Sequence, residues 1–304
     1  KLAAIPKLLD ELKDADENIR RDGARDLGDW DFKDDATAVP VLTKALGDTS
    51  AAVRSYALRA LGRRRENAES ALPKIIARLK DDDPEVRVAA AVALGVMTCD
   101  AACLPALAEA LKDKNPHVRA QAAFSIGLQR SAESKQYVGA LVACLSDDDP
   151  DVRERAAFAL LDIGEDAKAA VPSLIAATTD PVAKVRATAL GTISGIAPND
   201  PAVVKALLLG LKDPDPKCRR AAVEFLKASD TQTIQALVSA LSDSSEIVRK
   251  LAAYNLGKAG RFAKAALPSL RARLKFEREK DVRIELQKAV EAIERDQLPP
   301  PPPP

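Results

Sequence analysis

The sequence predicts an all-α fold in which about nine helical hairpins stack side by side as a solenoid. Three observations lead to this prediction: a short pattern recurs along the chain, each copy contains two amphipathic segments, and the composition suits thin layers of helices. Of the 304 residues, 47% are hydrophobic but only 3% are aromatic. Large compact cores depend on aromatic side chains, whereas helices that pack closely use small apolar residues.

The recurring pattern is centred on a Val-Arg pair, which occurs seven times. Ile19-Arg20 and Cys218-Arg219 are the same pair with the first residue varied, which gives nine copies with their arginines 30 to 34 residues apart. With the valine as offset 0, an acidic residue stands at −5, a small residue usually at +4 and a branched aliphatic residue at +8. Offsets 0, +4 and +8 share one helical face, which we expect to be buried. The predicted solenoid spans 1–295, with repeats of about 1–30, 31–69, 70–100, 101–134, 135–169, 170–200, 201–229, 230–262 and 263–295.

Each repeat divides into a first helix (A), a tight turn and a second helix (B) that carries the Val-Arg pair. Proline opens helix A in six repeats, at a position where its missing N–H costs nothing: Pro6, Pro40, Pro73, Pro105, Pro172 and Pro268. Aspartate, asparagine and proline in the turns are expected to begin helix B. A glycine at offset +9 is expected near the end of helix B in five repeats: Gly28, Gly62, Gly95, Gly127 and Gly257.

This pattern resembles the HEAT repeat, in the HEAT-like form first noted in phycobilin lyases. The resemblance covers about 5–295 and rests on Leu-Pro at the start of helix A, the turn aspartate, and Val-Arg-x-x-Ala-x-x-x-Leu-Gly in helix B. It implies a right-handed superhelix and a structural ladder in which turn aspartates and helix-B arginines of adjacent repeats are in contact. The ladder would comprise Asp14, Asp48, Asp81, Asp113, Asp147, Asp180, Asp213 and Asp243, with Arg20, Arg54, Arg87, Arg119, Arg153, Arg186, Arg219, Arg249 and Arg283.

The composition also bears on chemistry. A net charge of +1 disfavours a strongly basic nucleic-acid binder. His117 is the single histidine, which excludes the paired histidines of deoxyhypusine hydroxylases, a di-iron family with related repeats. We expect no catalytic residue, no cofactor and no metal site, although a lyase-type subunit stays open. The aspartates of the turns, such as Asp81 to Asp83, are expected to cap helices rather than to bind calcium.

The termini and cysteines leave several alternatives open. No apolar run is long enough to span a membrane. Because the chain starts at Lys1 and its only methionine is Met97, we expect a trimmed or processed form; a cytoplasmic location is favoured and export stays open. Cys99 and Cys103 are expected to be free thiols, with a disulfide as the alternative. The poly-Pro tail, 296–304, is expected to be a linker to a further segment rather than a ligand for an aromatic groove.

Candidate partner-binding residues occupy helix-B offsets that face away from the core. Val92, Phe124 and Phe158 stand at offset +6 in repeats 3 to 5 and predict an apolar strip. Tyr254, at the same offset, and Tyr56, at +3, are further candidates. The alternative is that these rings pack over small residues of neighbouring repeats. A basic group near the N-terminus comprises Arg21, Arg25, Arg59 and Arg63, followed by Arg64 and Arg65.

These features favour a non-catalytic scaffold that binds a protein or peptide along the helix-B surface, which is expected to be concave. One alternative is a phycobilin-lyase-like or chaperone-like subunit. Another is phosphate or nucleic-acid binding through the N-terminal arginines, although nucleic acid is the less favoured partner because the net charge is close to zero.

Overall fold

The computed structural model describes residues 5–28, 36–97 and 99–295. In these ranges the regular structure is helical, and the chain divides into two compact units at Ala170 and Val171. The first unit contains, as A–B pairs, α1 (Ile5–Glu11) and α2 (Glu17–Leu27), α3 (Val39–Ala45) and α4 (Ala51–Arg63), α5 (Leu72–Ala77) and α6 (Pro84–Val96), α7 (Asp100–Ala110) and α8 (Pro116–Leu128), and α9 (Val138–Cys144) and α10 (Pro150–Ile163).

The second unit contains four further A–B pairs. They are α11 (Val171–Ala177) and α12 (Ala183–Ile196), α13 (Pro201–Gly210) and α14 (Pro216–Phe225), α15 (Thr231–Ala240) and α16 (Glu246–Lys258), and α17 (Leu267–Phe276) and α18 (Lys280–Arg295). Short 3₁₀ segments lead into several A helices, as at Arg65–Ala71 and Gly164–Ala170. The predicted all-α solenoid of hairpins is therefore confirmed. None of the described helices is long and apolar enough to cross a membrane.

The core of each unit is the face of the B helices defined by offsets 0, +4 and +8. In α6 these residues are Val86, Ala90 and Leu94, and all three are fully buried. Within each unit, each B helix packs on the B helix of the next hairpin. Burying an aliphatic side chain of this size contributes roughly 1.5–3 kcal/mol, so the repeated pattern supplies a share of the stability in every layer.

The glycines at offset +9 lie near the ends of their helices, but they do not end them by adopting a left-handed backbone conformation. Helices α4, α6, α8 and α16 each continue for one residue beyond the glycine, without a left-handed conformation there. A Cβ on Gly127 would lie 2.7 Å from the Cα of Ala159 in the next B helix. Gly62 and Gly257 make the same approach to alanines of their neighbours. Glycine is needed here because adjacent B helices come into backbone contact.

The arginines and acidic residues of the ladder form ion pairs between successive turns. Arg87 donates from Nε to Asp113 Oδ2 at 2.7 Å and from Nη2 to Asp113 Oδ1 at 2.9 Å. Its Nη1 donates to the main-chain oxygen of Asp81, in the turn of its own hairpin, at 2.9 Å. Equivalent pairs are Arg20–Asp48, Arg54–Asp81 and Arg119–Asp147 in the first unit, and Arg186–Asp213, Arg219–Asp243 and Arg249–Glu277 in the second.

The same acidic residues also order their own turns. Asp113 Oδ1 accepts a hydrogen bond from the main-chain N–H of Asn115 at 2.8 Å, and Asn115 then caps α8 by accepting from His117 N. The pattern is incomplete in the first and in the last repeat. Asp14 accepts from Asp16 N, and Arg283 is exposed. In the second unit Asp180 accepts from Val182 N, and in the first Arg153 donates to the main-chain oxygen of Asp147.

Ion pairing lowers the pKa of the carboxyls that form the ladder pairs given above. Burial raises the pKa of Asp113, but hydrogen bonds from Arg87 and from the main chain outweigh burial and lower it overall. For Glu277, the hydrogen bond from Arg249 is the largest influence and lowers the pKa from 4.5 to about 2, against the opposing effect of burial. These carboxyls are therefore ionised in the folded protein at neutral pH.

The start of α7 departs from the prediction in two ways. The helix begins at Asp100, so Pro105 lies inside it rather than in its first turn. Cys99 and Cys103 form a disulfide with their Cα atoms 5.7 Å apart, so the expectation of two free thiols is wrong. Four residues in this helical geometry bring the two Cα atoms within the span of a disulfide, a state typical of oxidising compartments. Cys144 and Cys218 are buried free thiols, and burial raises the pKa of each to about 11.

We expect opposite effects from the same substitution at two glycines of the first unit. Gly127→Ala should lower the free energy of unfolding by about 1–3 kcal/mol, because the added methyl meets the backbone of Ala159. Gly139 lies in α9, where a methyl group added at its Cα would have no neighbouring atom within 4 Å. Gly139→Ala should therefore raise stability by about 0.4–1 kcal/mol. Urea titration of both variants measures the difference, and an equal effect would contradict the close-packing role of offset +9.

The low pKa of Glu277 predicts acid sensitivity of the second unit. The folded-state pKa lies below the unfolded value of about 4.5, so ionised Glu277 stabilises the fold fully above that pH. This contribution is lost as the pH falls from about 4.5 towards 2. Glu277→Gln should be less stable at pH 7 and should lose less stability on acidification, as measured by urea titrations between pH 7 and pH 2.

The control for this acid sensitivity is Glu224→Gln, which changes a largely exposed glutamate of the same unit in the same way. It should keep the wild-type dependence on pH. If the Glu277 and Glu224 variants follow the same curve, the Arg249–Glu277 pair is not the source of the acid sensitivity.

Candidate functional site

The B helices of the first unit carry an apolar surface on the side opposite the core, which we call the apolar patch. Val88, Val92 and Val96 follow one another along α6 at offsets +2, +6 and +10, and Val96 is 39% exposed. Phe124 and Leu128 hold offsets +6 and +10 of α8, and Phe158 holds offset +6 of α10. The glycine contacts between α6, α8 and α10 bring these offsets side by side. The patch thus combines residues from three consecutive repeats.

The two phenylalanines of the apolar patch are in contact with each other. Their ring centroids are 6.0 Å apart with the ring planes tilted by 45°, a separation typical of favourable aromatic pairs. Phe124 is half-buried, whereas Phe158 is 42% exposed. Phe124 therefore packs in part against its surroundings, as the alternative interpretation expects, and Phe158 presents most of the accessible ring surface.

Polar groups flank the apolar patch on the α10 side. The guanidinium of Arg155 lies over the ring of Phe124, 4.4 Å from its centroid, a distance at which a cation–π interaction is favourable. Further along α10, Asp162 accepts a hydrogen bond from Arg130 at 2.8 Å. The patch is thus an apolar centre with charged residues at one margin, the arrangement found in protein interfaces.

The comparisons with known proteins agree with this architecture. A sequence profile of HEAT repeats matches residues 5–94, 72–143, 104–194, 138–227 and 204–291. The chain belongs to the HEAT-repeat family. HEAT repeats generally bind proteins, and scaffolds of this kind are typically non-catalytic. The search among curated proteins finds no match to the sequence.

Several solved structures are similar to this chain at low sequence identity. An engineered protein is 21% identical, covers 95% of this chain and 98% of its own, and has a TM-score of 0.59. The YibA protein of Escherichia coli is 23% identical, covers 84% of this chain and 91% of its own, and has a TM-score of 0.65. The CpcE–CpcF complex of phycocyanin lyase from Nostoc sp. PCC7120 is 22% identical over 84% of this chain and 94% of its own, with a TM-score of 0.49.

The basic residues of this HEAT protein separate into different roles. Arg21 and Arg25 bond to Asp22, and Arg25 also bonds to Asp26. Arg59 is exposed and lies over the ring of Tyr56, 5.8 Å from its centroid. Arg25, Tyr56 and Arg59 are among the residues that line a cleft between α2 and α4.

Arg63 and Arg64 contact the end of α2, the B helix of the preceding repeat. Arg63 donates to the main-chain oxygen of Gly28, and Arg64 donates to that of Leu27 at 3.1 Å and to that of Ala60 at 2.8 Å. Arg64 is only 1% exposed. Its inclusion in a surface group was wrong, because carbonyl groups left without partners at a helix end attract cations.

The remaining candidate, Tyr254, belongs to the second unit. It lies on α16 and is 49% exposed, and no aromatic neighbour in the described residues of that unit pairs with its ring. His117 is an exposed residue in the first turn of α8. Within 5–28, 36–97 and 99–295, no three His, Cys, Asp or Glu side chains are grouped so as to hold a metal ion. The poly-Pro tail lies outside the described residues.

The sequence analysis did not predict two features of the first unit. Val88, Val96 and Leu128 extend the apolar patch, and the signal for them was present at offsets +2 and +10. A cleft of about 940 Å³ also lies between α5 and α7, with Ile76 and Ala106 on its walls and Lys80 and Lys114 among its lining residues. The α-helical part of α5 ends after six residues and continues as a 3₁₀ segment, Arg78–Lys80, whose residues Leu79 and Lys80 also line this cleft.

The burial of Arg64 predicts unequal effects at two adjacent arginines. Arg64→Ala should lower the free energy of unfolding by about 2 kcal/mol, because it leaves buried main-chain oxygens of Leu27 and Ala60 without these donors. Arg65 is exposed, so Arg65→Ala should change stability by less than about 0.5 kcal/mol. Urea unfolding of both variants tests this difference. Similar losses in the two variants would contradict the capping role of Arg64.

Proposed function

We propose that this HEAT protein is a non-catalytic scaffold that binds another protein or a peptide on the B-helix surface of its first unit. The observation that carries the proposal is the apolar patch, above all the exposed ring of Phe158 in contact with Phe124. An accessible aromatic side chain gains roughly 1.5–3 kcal/mol when a partner covers it. Such residues dominate the binding energy of protein interfaces.

The surroundings of Phe158 support binding more than internal packing. If the rings served only to cover small residues of neighbouring helices, both would be buried, yet Phe158 is 42% exposed. The guanidinium of Arg155 lies over the ring of Phe124, and the two phenylalanine rings contact each other, so the pair is preorganised and a partner would order few further side chains. Preorganisation of this kind reduces the entropic cost of binding.

The other interpretations of the sequence remain predictions. A lyase-like or chaperone-like subunit is compatible with the fold, but no described residue points to a bilin or a similar ligand. Phosphate or nucleic-acid binding would depend on Arg21, Arg25, Arg59 and Arg63, of which Arg21 and Arg25 bond to neighbouring aspartates. Protein binding is therefore the function that the described residues support best.

The proposal predicts that one exposed ring decides which proteins bind. Phe158→Glu places a charge in the apolar patch and should remove the specific partners, with at least about tenfold less of each captured, since one buried aromatic anchor contributes about 1.4 kcal/mol or more. Phe158 is preferable to Phe124 for this test because Phe124 is half-buried and supports Arg155. Quantitative mass spectrometry of affinity-purified complexes is the measurement.

The matched control is Phe276→Glu, the same change at a ring that is 77% exposed on an A helix of the second unit. Both variants should keep the wild-type circular dichroism and melting temperature within a few degrees. Partners lost with Phe158→Glu but retained with Phe276→Glu support the proposal. If the two variants capture the same set as the wild type, the apolar patch is not the binding surface.

A further inference from the structure

A cleft lined by arginines lies on the B helices beside the apolar patch. It has a volume of about 290 Å³ and is formed by α2 and α4, the B helices of the two repeats that precede α6. Its lining residues are Arg25, Asp26, Gly28, Tyr56, Arg59 and Arg63. Because the B helices of the first unit pack in series, the cleft and the apolar patch occupy neighbouring parts of the same surface.

The charge of the cleft is positive. Three arginines and one aspartate line it, and α4 contains arginines but no acidic residue. Arg25 bonds to Asp26, and Arg63 donates to a main-chain oxygen. Arg59 is different, because its guanidinium lies over the ring of Tyr56 rather than against a carboxylate of the described residues. A guanidinium has five N–H donors in a planar fork that fits a carboxylate, so Arg59 is available to an acidic group.

The ring of Tyr56 sets the position of this cation. With Arg59 5.8 Å from the ring centroid, the aromatic face limits where the guanidinium can lie and shields part of it from water. Charges that are partly shielded interact more strongly than fully solvated ones. The cleft therefore presents, to whatever binds beside it, a cation that is partly covered by an aromatic ring.

We infer that the partner segment is an acidic, apolar peptide, with its carboxylates in the arginine cleft and its apolar side chains on the apolar patch. This inference rests on the proposed function and adds the chemistry of the partner. Helices pack about 8–10 Å apart, so the step from α4 to α8 is roughly 16–20 Å. A peptide spans that distance with about six extended residues or about a dozen helical ones. One short segment is enough to reach both sites.

In this inference the apolar patch provides the affinity for the peptide, and the arginine cleft provides the specificity for acidic sequences. Apolar burial does not distinguish an acidic peptide from a basic one, whereas a positive cleft favours the first and repels the second. The contribution of the charged residues to the binding free energy should also decrease at high salt, because the ions screen their interactions. An acidic and a basic peptide with the same apolar residues should thus differ in affinity, and the difference should shrink at high salt.

The test uses three fluorescein-labelled peptides of twenty residues with the full chain, measured by fluorescence anisotropy. The first carries three glutamates near one end and Leu, Phe and Leu near the other, the second has lysines for the glutamates, and the third has serines for the apolar residues. We expect the first to bind at least about tenfold more tightly than either of the others. Arg59→Glu should weaken binding of the first peptide by about tenfold and strengthen binding of the second.

Lys80→Glu is the matched control for Arg59→Glu, because it makes the same change of charge at an exposed residue that follows α5, an A helix, in the same unit. It should leave the affinity for each peptide within about twofold. Circular dichroism verifies that both variants fold, and Arg59→Gln gives a second, uncharged variant with a smaller loss. If Arg59→Glu and Lys80→Glu weaken binding equally, the arginine cleft does not receive the carboxylates.

Failure of this inference is separable from failure of the proposed function. Equal affinities for the acidic and basic peptides, both reduced by Phe158→Glu, would overturn the acidic partner and leave the apolar patch as the binding surface. Absence of any peptide binding would also overturn it, and the partner-capture experiment with Phe158→Glu would then decide the proposed function by itself. Tighter binding of a twenty-nucleotide single strand than of the acidic peptide would overturn it in favour of a nucleic acid.

Discussion

Each ladder arginine that pairs with the acidic residue of the next turn in the same unit also bonds to its own turn, and the stacking within both units depends on that bridge. Arg87 shows the geometry: Nε and Nη2 donate to both carboxylate oxygens of Asp113, while Nη1 donates to the main chain at Asp81. The donors of a guanidinium have fixed directions, so the bridge sets both the distance and the orientation of the neighbouring turn. Lysine could supply the charge but not this geometry.

A second contact between neighbouring B helices lies at the opposite end of the helices and further fixes how they pack. Gly127 lies against Ala159, eight residues beyond the bridging arginine of its own helix, Arg119. Two contacts near the two ends of a helix determine its rotation relative to its neighbour. Offsets +2, +6 and +10 are then aligned from helix to helix whatever side chains they carry. The residues at these offsets can therefore vary without disturbing the stacking. The valines and phenylalanines of the apolar patch, the proposed binding surface, lie at these offsets.

Features that follow from the regular spacing of residues can be predicted from the sequence. Features that depend on contact with one particular neighbouring group cannot. The buried face of each B helix follows from regular spacing, as does the row of Val92, Phe124 and Phe158. The burial of Arg64 does not, since it depends on carbonyl groups of α2 that become accessible only once two repeats have stacked. Cys99 and Cys103 are four residues apart, a spacing compatible with thiols or with a disulfide, and only the local helical geometry brings the sulfur atoms together.

The near-zero net charge of the chain does not describe the charge of any one of its surfaces. Nine ladder arginines are matched by nine acidic residues at offset −5, eight aspartates and Glu277, so the stacking device contributes equal amounts of both signs. The other charged residues also nearly balance, so the net charge of +1 is an average over the whole chain and says little about the proposed binding surface. The charges that matter there lie outside the ladder. On α4 they are Arg59 and Arg63, with no acidic residue on the same helix, so the local field beside the apolar patch is positive although the whole chain is almost neutral.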